Sequence, residues 1–178
     1  MARKPTARRR GDEYHPWSTY IAAREEARRR GDRTIGTELL LVALLHYPTL
    51  ARAVGTDAAH ARAVLDDLDN EAMVTIGMDP PPEVPALPAA DPSAIPARPT
   101  FRMVLRKHLR LTPCAKRVLS ESSRGMRRGH SHPGPEHVLE GILELREPDP
   151  AAELLAKLGV QPGAVRERLA THDDGAES

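Results

Sequence analysis

Gly36-Thr37-Glu38-Leu39 returns 98 residues later as Gly134-Pro135-Glu136-His137, and the apolar positions Leu41, Leu44 and Leu45 return as Leu139, Ile142 and Leu143. At the same spacing Arg28-Arg29-Arg30-Gly31-Asp32 falls on Met126-Arg127-Arg128-Gly129-His130. Further on the spacing grows to 104, so that Gly55 to Leu65 overlays Gly159 to Leu169 with Arg62 on Arg166. The six extra residues sit around Arg146-Glu147-Pro148-Asp149-Pro150, a turn-rich stretch that reads as a loop. A pattern that matches itself in order over most of its length marks an internal repeat.

Within each half, short amphipathic helices are expected between turns. The first covers about residues 17–30 with Tyr20, Ala23 and Ala27 inward and Gly31 as its stop. Its counterpart covers 113–128 with Val118 and Leu119 inward. The second helices start near Thr37 and near Pro135, a residue suited to a first helical position. Third helices are expected over 49–54 and 151–158, and fourth helices over 58–70 and 162–171. The 101–111 segment fits either a helix through Phe101, Val104, Leu105 and Leu109 or an extended chain. One such four-helix unit buries little core by itself, so the halves should pack together.

Between the halves, the stretch from Asp79 to Pro99 carries eight prolines, which exclude helix and favour an extended linker. The organisation that follows is a basic flexible tail over 1–13, a first repeat over 14–72, a linker over 73–100, a second repeat over 101–172, and a short tail over 173–178. Aromatic residues make up only 3% of the chain, while alanine, leucine, arginine and glutamate dominate, a balance that suits an all-α fold rather than a β-sandwich.

A net charge of +1, from 26 basic and 25 acidic residues, gives no global field toward nucleic acid or an anionic membrane. Cys114 is the only cysteine, which excludes an internal disulfide and fits a reducing cytoplasm. No apolar run of secretory length follows the basic N-terminus, and nothing approaches the roughly 20 apolar residues of a spanning helix. A cytoplasmic location is expected.

These paired residues resemble the Clp repeats of the N-terminal domain of the ClpA, ClpB and ClpC unfoldases. The first half offers Glu26-Ala27-Arg28-Arg29-Arg30-Gly31-Asp32 and Gly36-Thr37-Glu38-Leu39-Leu40-Leu41. The second offers Leu111-Thr112-Pro113-Cys114-Ala115-Lys116-Arg117-Val118-Leu119, Gly129-His130, Gly134-Pro135-Glu136-His137 and Leu158-Gly159-Val160. Among such domains the ClpC type is the most similar. The resemblance implies an eight-helix domain of two pseudo-twofold repeats that binds substrates, adaptors or a Clp unfoldase. In ClpC-type domains each repeat has a site for phosphorylated arginine, and on that pattern Glu38, and Glu136 with Thr112, become the candidate ligand residues. Carboxylates suit a guanidinium, while hydroxyls and helix N-terminal amides suit a phosphate. Departures from the pattern are His15 in place of threonine, Leu39 in place of histidine, and Pro135 in place of threonine.

No Gly-x-x-x-x-Gly-Lys-Ser/Thr occurs in these residues, so no ATP-driven motor is expected and the chain reads as a stand-alone, non-catalytic receptor module. Cys114 has no base-and-orienter signature around it, and its place near a helix start suggests either a lowered pKa or a small core residue. Glu38 and Glu136 are repeat equivalents on separate helices, not an acid/base pair, and each alternatively serves to cap its helix. His130, His132 and His137 beside Glu136 are possible zinc ligands by type, but no helical i, i+4 pair fixes them, so no metal or other cofactor is expected. The runs Arg8-Arg9-Arg10, Arg28-Arg29-Arg30 and 102–110 give nucleic-acid binding as the alternative function, against which Glu25, Glu26 and Asp32 weigh.

Overall fold

In a computed structural model of the chain, residues 16–79, 109–125 and 134–173 are described. Eight helices lie among them: α1 (Pro16–Arg30), α2 (Thr37–Leu44), α3 (Pro48–Val54), α4 (Ala58–Thr75), α5 (Pro113–Gly125), α6 (Pro135–Leu143), α7 (Pro150–Lys157) and α8 (Pro162–Asp173). Local chemistry sets their ends. Gly31 stops α1 in the left-handed region at φ 82, and Asp32 N–H reaches back to Ala27 O at 2.8 Å. Asp57 opens α4 by accepting from His60 N at 2.8 Å, and Asp149 opens α7 by accepting from Ala151 N at 3.1 Å.

The predicted helices are present, with three differences. First, α4 runs to Thr75 rather than ending at Asn70, because Glu71-Ala72-Met73-Val74 contains no breaker and the left-handed residue comes only at Gly77, φ 76. Second, the end of the 101–111 segment is extended: β2 (Arg110–Leu111) pairs in parallel with β1 (Thr34–Ile35), with Ile35 opposite Leu111. Third, the fourth helix of the second half continues to Asp173. The 1–13 tail, residues 80–108 and the predicted last turn of α5 at 126–128 lie outside the described residues.

Helix α2 forms the centre. Leu39, Leu40, Leu41, Val42, Ala43 and Leu44 are all buried, so the helix has no solvent face and packs on α1, α4, α5, α6 and α7. A helix apolar all round requires cover from every side. Tyr20, Ala23 and Ala27 of α1, and Val118 and Leu119 of α5, point inward as their spacing predicts. One continuous apolar cluster includes Ile35, Leu50, Val54 and Leu65 from the first half and Leu139, Ile142, Leu154 and Val165 from the second. Among the described residues no helix is long and apolar enough to cross a membrane.

Glu26, only 6% exposed at its side chain, lies inside this core with a full set of partners. Arg62 clasps it with both Nε, at 2.9 Å from Oε2, and Nη2, at 2.5 Å from Oε1. Arg29 Nε adds a bond at 3.2 Å and His46 Nε2 stands 2.9 Å from Oε1. The repeat equivalent of Arg62 has a different anchor: Arg166 Nη2 donates to Leu143 O at 2.8 Å, and 98 residues on from Glu26 the sequence has Arg124.

A second polar link joins the halves. Thr37 Oγ1 donates to Asp149 Oδ1 at 2.6 Å across 112 residues, while the same carboxylate caps α7. Asp149→Ala should lower stability by about 1–3 kcal/mol, because it removes a cap and leaves the buried Thr37 hydroxyl without an acceptor. Urea denaturation followed by far-UV circular dichroism reads this directly. A loss of a few tenths of a kcal/mol would mean that water replaces the carboxylate at no cost.

Candidate binding site

Why a glycine precedes each Glu of the repeated element follows from space, not from backbone torsion. Gly36 and Gly134 cap α2 and α6 at φ −91 and φ −90, angles open to any residue. In each case the glutamate two positions on folds its carboxylate back over the glycine, and a methyl group there would collide with it. The Gly-x-Glu element is therefore the same folded-back carboxylate at a helix start, built twice.

The two copies have different surroundings. Glu38 accepts from its own backbone N–H, while its Oε2 is buried without a hydrogen-bond partner. Burial raises its pKa, and Asp32 and Asp149 nearby push in the same direction, against Arg30 and the backbone bond. Glu136 is 41% exposed at its side chain, with His137 Nδ1 at 3.4 Å from Oε1. That ring nitrogen has no hydrogen-bond partner.

Thr112 lies on the Glu38 side of the molecule. Its N–H donates to Ile35 O at 2.9 Å, which places it across the short strand pair from Gly36. There it opens α5, its Oγ1 accepting from Ala115 N at 3.3 Å. No hydrogen bond or ion pair joins Thr112 to Glu136 among the described residues. The starts of α2, α5 and α7 thus share one corner, occupied by Thr37, Glu38, Thr112 and Asp149. Cys114 belongs to it as well. Its thiol is pushed up, not down, first by burial and then by the Asp149 carboxylate, so the helix start does not activate it.

Sequence reasoning singled out Glu38 and Thr112 but not Asp149, although an Asp-Pro pair at the head of an apolar stretch is a helix-start signal. With Asp32 and Asp149 around Glu38, the corner is acidic and favours a guanidinium or ammonium group. His130 and His132 lie outside the described residues. Among those described, no group of three or more histidine, cysteine or acidic side chains could hold a metal ion. The Arg28-Arg29-Arg30 run is engaged by carboxylates: Arg28 with Glu25, Arg29 with Glu26, and Arg30 with Asp32, Asp66 and Asp69.

No family model matches the chain. Among curated proteins it is 28% identical over 155 residues to the ATP-dependent Clp protease ATP-binding subunit ClpA homolog, chloroplastic, of Brassica napus. It is equally similar to chaperone protein ClpC1, chloroplastic, of Oryza sativa subsp. japonica and to chaperone protein ClpC, chloroplastic, of Pisum sativum. The chain is related to a stretch of Clp chaperones. Each match covers 84% of this chain and 14% of the relative, so the chain spans about one seventh of the proteins it resembles. The matched length is too great to be carried by one Gly-x-Glu element and takes in both halves.

Proposed function

We propose that the chain is a Clp-type N-terminal repeat module, which binds protein segments through a guanidinium-recognising corner and performs no chemistry of its own. The observation that carries this reading is the carboxylate of Glu38, folded over Gly36 with one oxygen buried and unpartnered, next to the hydroxyl and helix start at Thr112. Glu38 receives the guanidinium, and the Thr112 hydroxyl at the start of α5 receives a phosphate carried on it. Asp149 adds to the attraction for the cation and opposes the phosphate. Glu136, more exposed and without such a corner, provides a weaker second site. The partners of such a module are a Clp unfoldase, its adaptors or its substrates, which makes the chain an adaptor or a decoy in Clp-dependent proteolysis.

Isothermal titration with phosphoarginine and with arginine amide tests the site. Heat is expected with phosphoarginine, reduced in Glu38→Ala to that of the weaker Glu136 site and strongly reduced in Gly36→Ala. The second substitution leaves the backbone unstrained and moves only the carboxylate. Because the Glu38 pKa is raised, binding should weaken on acidification at a higher pH than for an ordinary glutamate, as the carboxylate that pairs with the cation takes up its proton. No heat at millimolar ligand, or equal heats in the three proteins, would remove the proposal. A pull-down probed for a Clp unfoldase then separates an adaptor, which retains it, from a decoy, which does not.

A further inference from the structure

On the face formed by α3, α6 and α8 lies an open groove of about 600 Å³, within the range of sites that hold a few residues of a ligand. Its floor is apolar, made by Leu50, Ala53 and Leu169. Arg52, Arg166 and Arg168 line it from α3 and α8, and Glu136 and Glu140, four residues apart, line it from α6.

The arginines of this groove differ in pairing from those of α1. In the first half Arg24, Arg28, Arg29, Arg30 and Arg62 each meet a carboxylate. The three groove arginines meet none among the described residues. Each is steered by a carbonyl instead: Arg52 Nε to Pro48 O at 3.2 Å, Arg166 Nη2 to Leu143 O at 2.8 Å, and Arg168 Nη1 to Ala53 O at 2.8 Å. A carbonyl fixes a guanidinium in place without neutralising it and leaves most of its five N–H donors for another acceptor. Glu140, exposed on α6, likewise has no ion-pair partner among the described residues. Cationic and anionic side chains therefore share the lining of one groove with an apolar floor, and no ion pair among the described residues joins them.

We infer that this groove docks an extended protein segment of mixed charge: an acidic side chain on the Arg52/Arg166/Arg168 wall, a basic one on the Glu140 side, and an apolar residue between them on Leu50 and Leu169. A purely acidic segment meets repulsion from Glu136 and Glu140, and a purely basic one meets it from three guanidiniums. The inference goes beyond the Glu38 corner and does not depend on phosphoarginine recognition.

The test uses the full chain and fluorescein-labelled Gly/Ser peptides in which one Glu and one Lys flank a Leu at several spacings, read by fluorescence anisotropy. Saturable binding is expected for at least one spacing, with loss when the Glu or the Lys of the peptide is replaced by Gln, and with weakening at high salt. Arg52→Glu and Glu140→Lys, both on exposed positions, should each weaken it about tenfold or more. The double charge swap should recover part of the loss. Arg52→Met serves if the reversal perturbs folding, with melting followed by circular dichroism. Absence of saturable binding at every spacing, indifference to both single variants, or preference for an all-acidic peptide would each overturn the inference. Phosphoarginine titration in a Glu136→Ala background, which reads the Glu38 corner alone, should be the same with and without Arg52→Glu or Glu140→Lys, so failure of the groove is distinguishable from failure of the Glu38 corner.

Discussion

Glu26→Gln is expected to cost about 3–5 kcal/mol of folding stability, the range for removing one partner of a buried ion pair. The carboxylate is not a surface charge with an incidental neighbour. It accepts from Arg62 twice and from Arg29, with His46 Nε2 2.9 Å away, and almost none of it reaches water. Without its charge, the Arg62 guanidinium stays in the core unpaired, and Arg29, whose Nη2 already lacks a hydrogen-bond partner, loses its carboxylate. Against a typical domain stability of about 5–15 kcal/mol, a loss of this size brings the protein close to unfolding at room temperature. Urea denaturation gives the value, and a double-mutant cycle with Arg62→Met should return a coupling of about 1–3 kcal/mol. A single-variant loss below about 1 kcal/mol would show that water enters and solvates the cluster.

The same carboxylate sets an acid limit. Burial alone raises the Glu26 pKa, but hydrogen bonds from Arg62 and His46 and their charges outweigh it and hold the group well below the usual carboxylate range. A depressed folded-state pKa means that the stabilising contribution is complete above the unfolded value of 4.5 and drains away as the pH falls toward the folded value. The stability of Glu26→Gln should therefore respond less to acidification below that point than the stability of the unaltered chain. Glu38 has the opposite sign. Its raised pKa makes the folded state the better proton binder just above 4.5, so that carboxylate weakens the fold at neutral pH, in keeping with a group held for a ligand.

How much of this was legible in the sequence depends on the range of the interaction. Helix starts and stops are local events, and Thr37, Pro113, Pro135 and Gly31 announce them through residue type alone. The inward faces of α1 and α5 follow from the helical period. By contrast, two-residue strands have no period to detect, so the β1–β2 pair could not be read. That pair is what carries Thr112 to Gly36, and the sequence grouping of Thr112 with Glu136 rested on repeat order. Glu26 and Arg62 are 36 residues apart and Thr37 and Asp149 are 112 apart, and nothing in the spacing couples them. The arginine-lined groove draws on three helices from both halves and exists only once they are packed.

Leu41→Ala and Leu139→Ala are expected to cost about 2–5 kcal/mol each, the range for truncating a buried leucine and leaving a cavity. Both side chains are fully buried, and they are repeat equivalents at the 98-residue spacing. The informative feature is the shape of the transition. If each half were an independent unit, Leu41→Ala would lower the melting of one half and Leu139→Ala that of the other, and each variant would unfold in two steps. The apolar cluster, however, is continuous between the halves, and α2 is covered by α5, α6 and α7 from the other half as well as by α1 and α4 from its own. Exposing either leucine's surroundings exposes both halves, so a single cooperative transition shifted downward is expected for both variants, by calorimetry and by circular dichroism alike. Nor can α2 rely on intrinsic helicity when its cover is lost, since a helix of eight residues is too short to persist alone in water. A two-step melt in either variant would separate the halves, Thr112 from Glu38 among them.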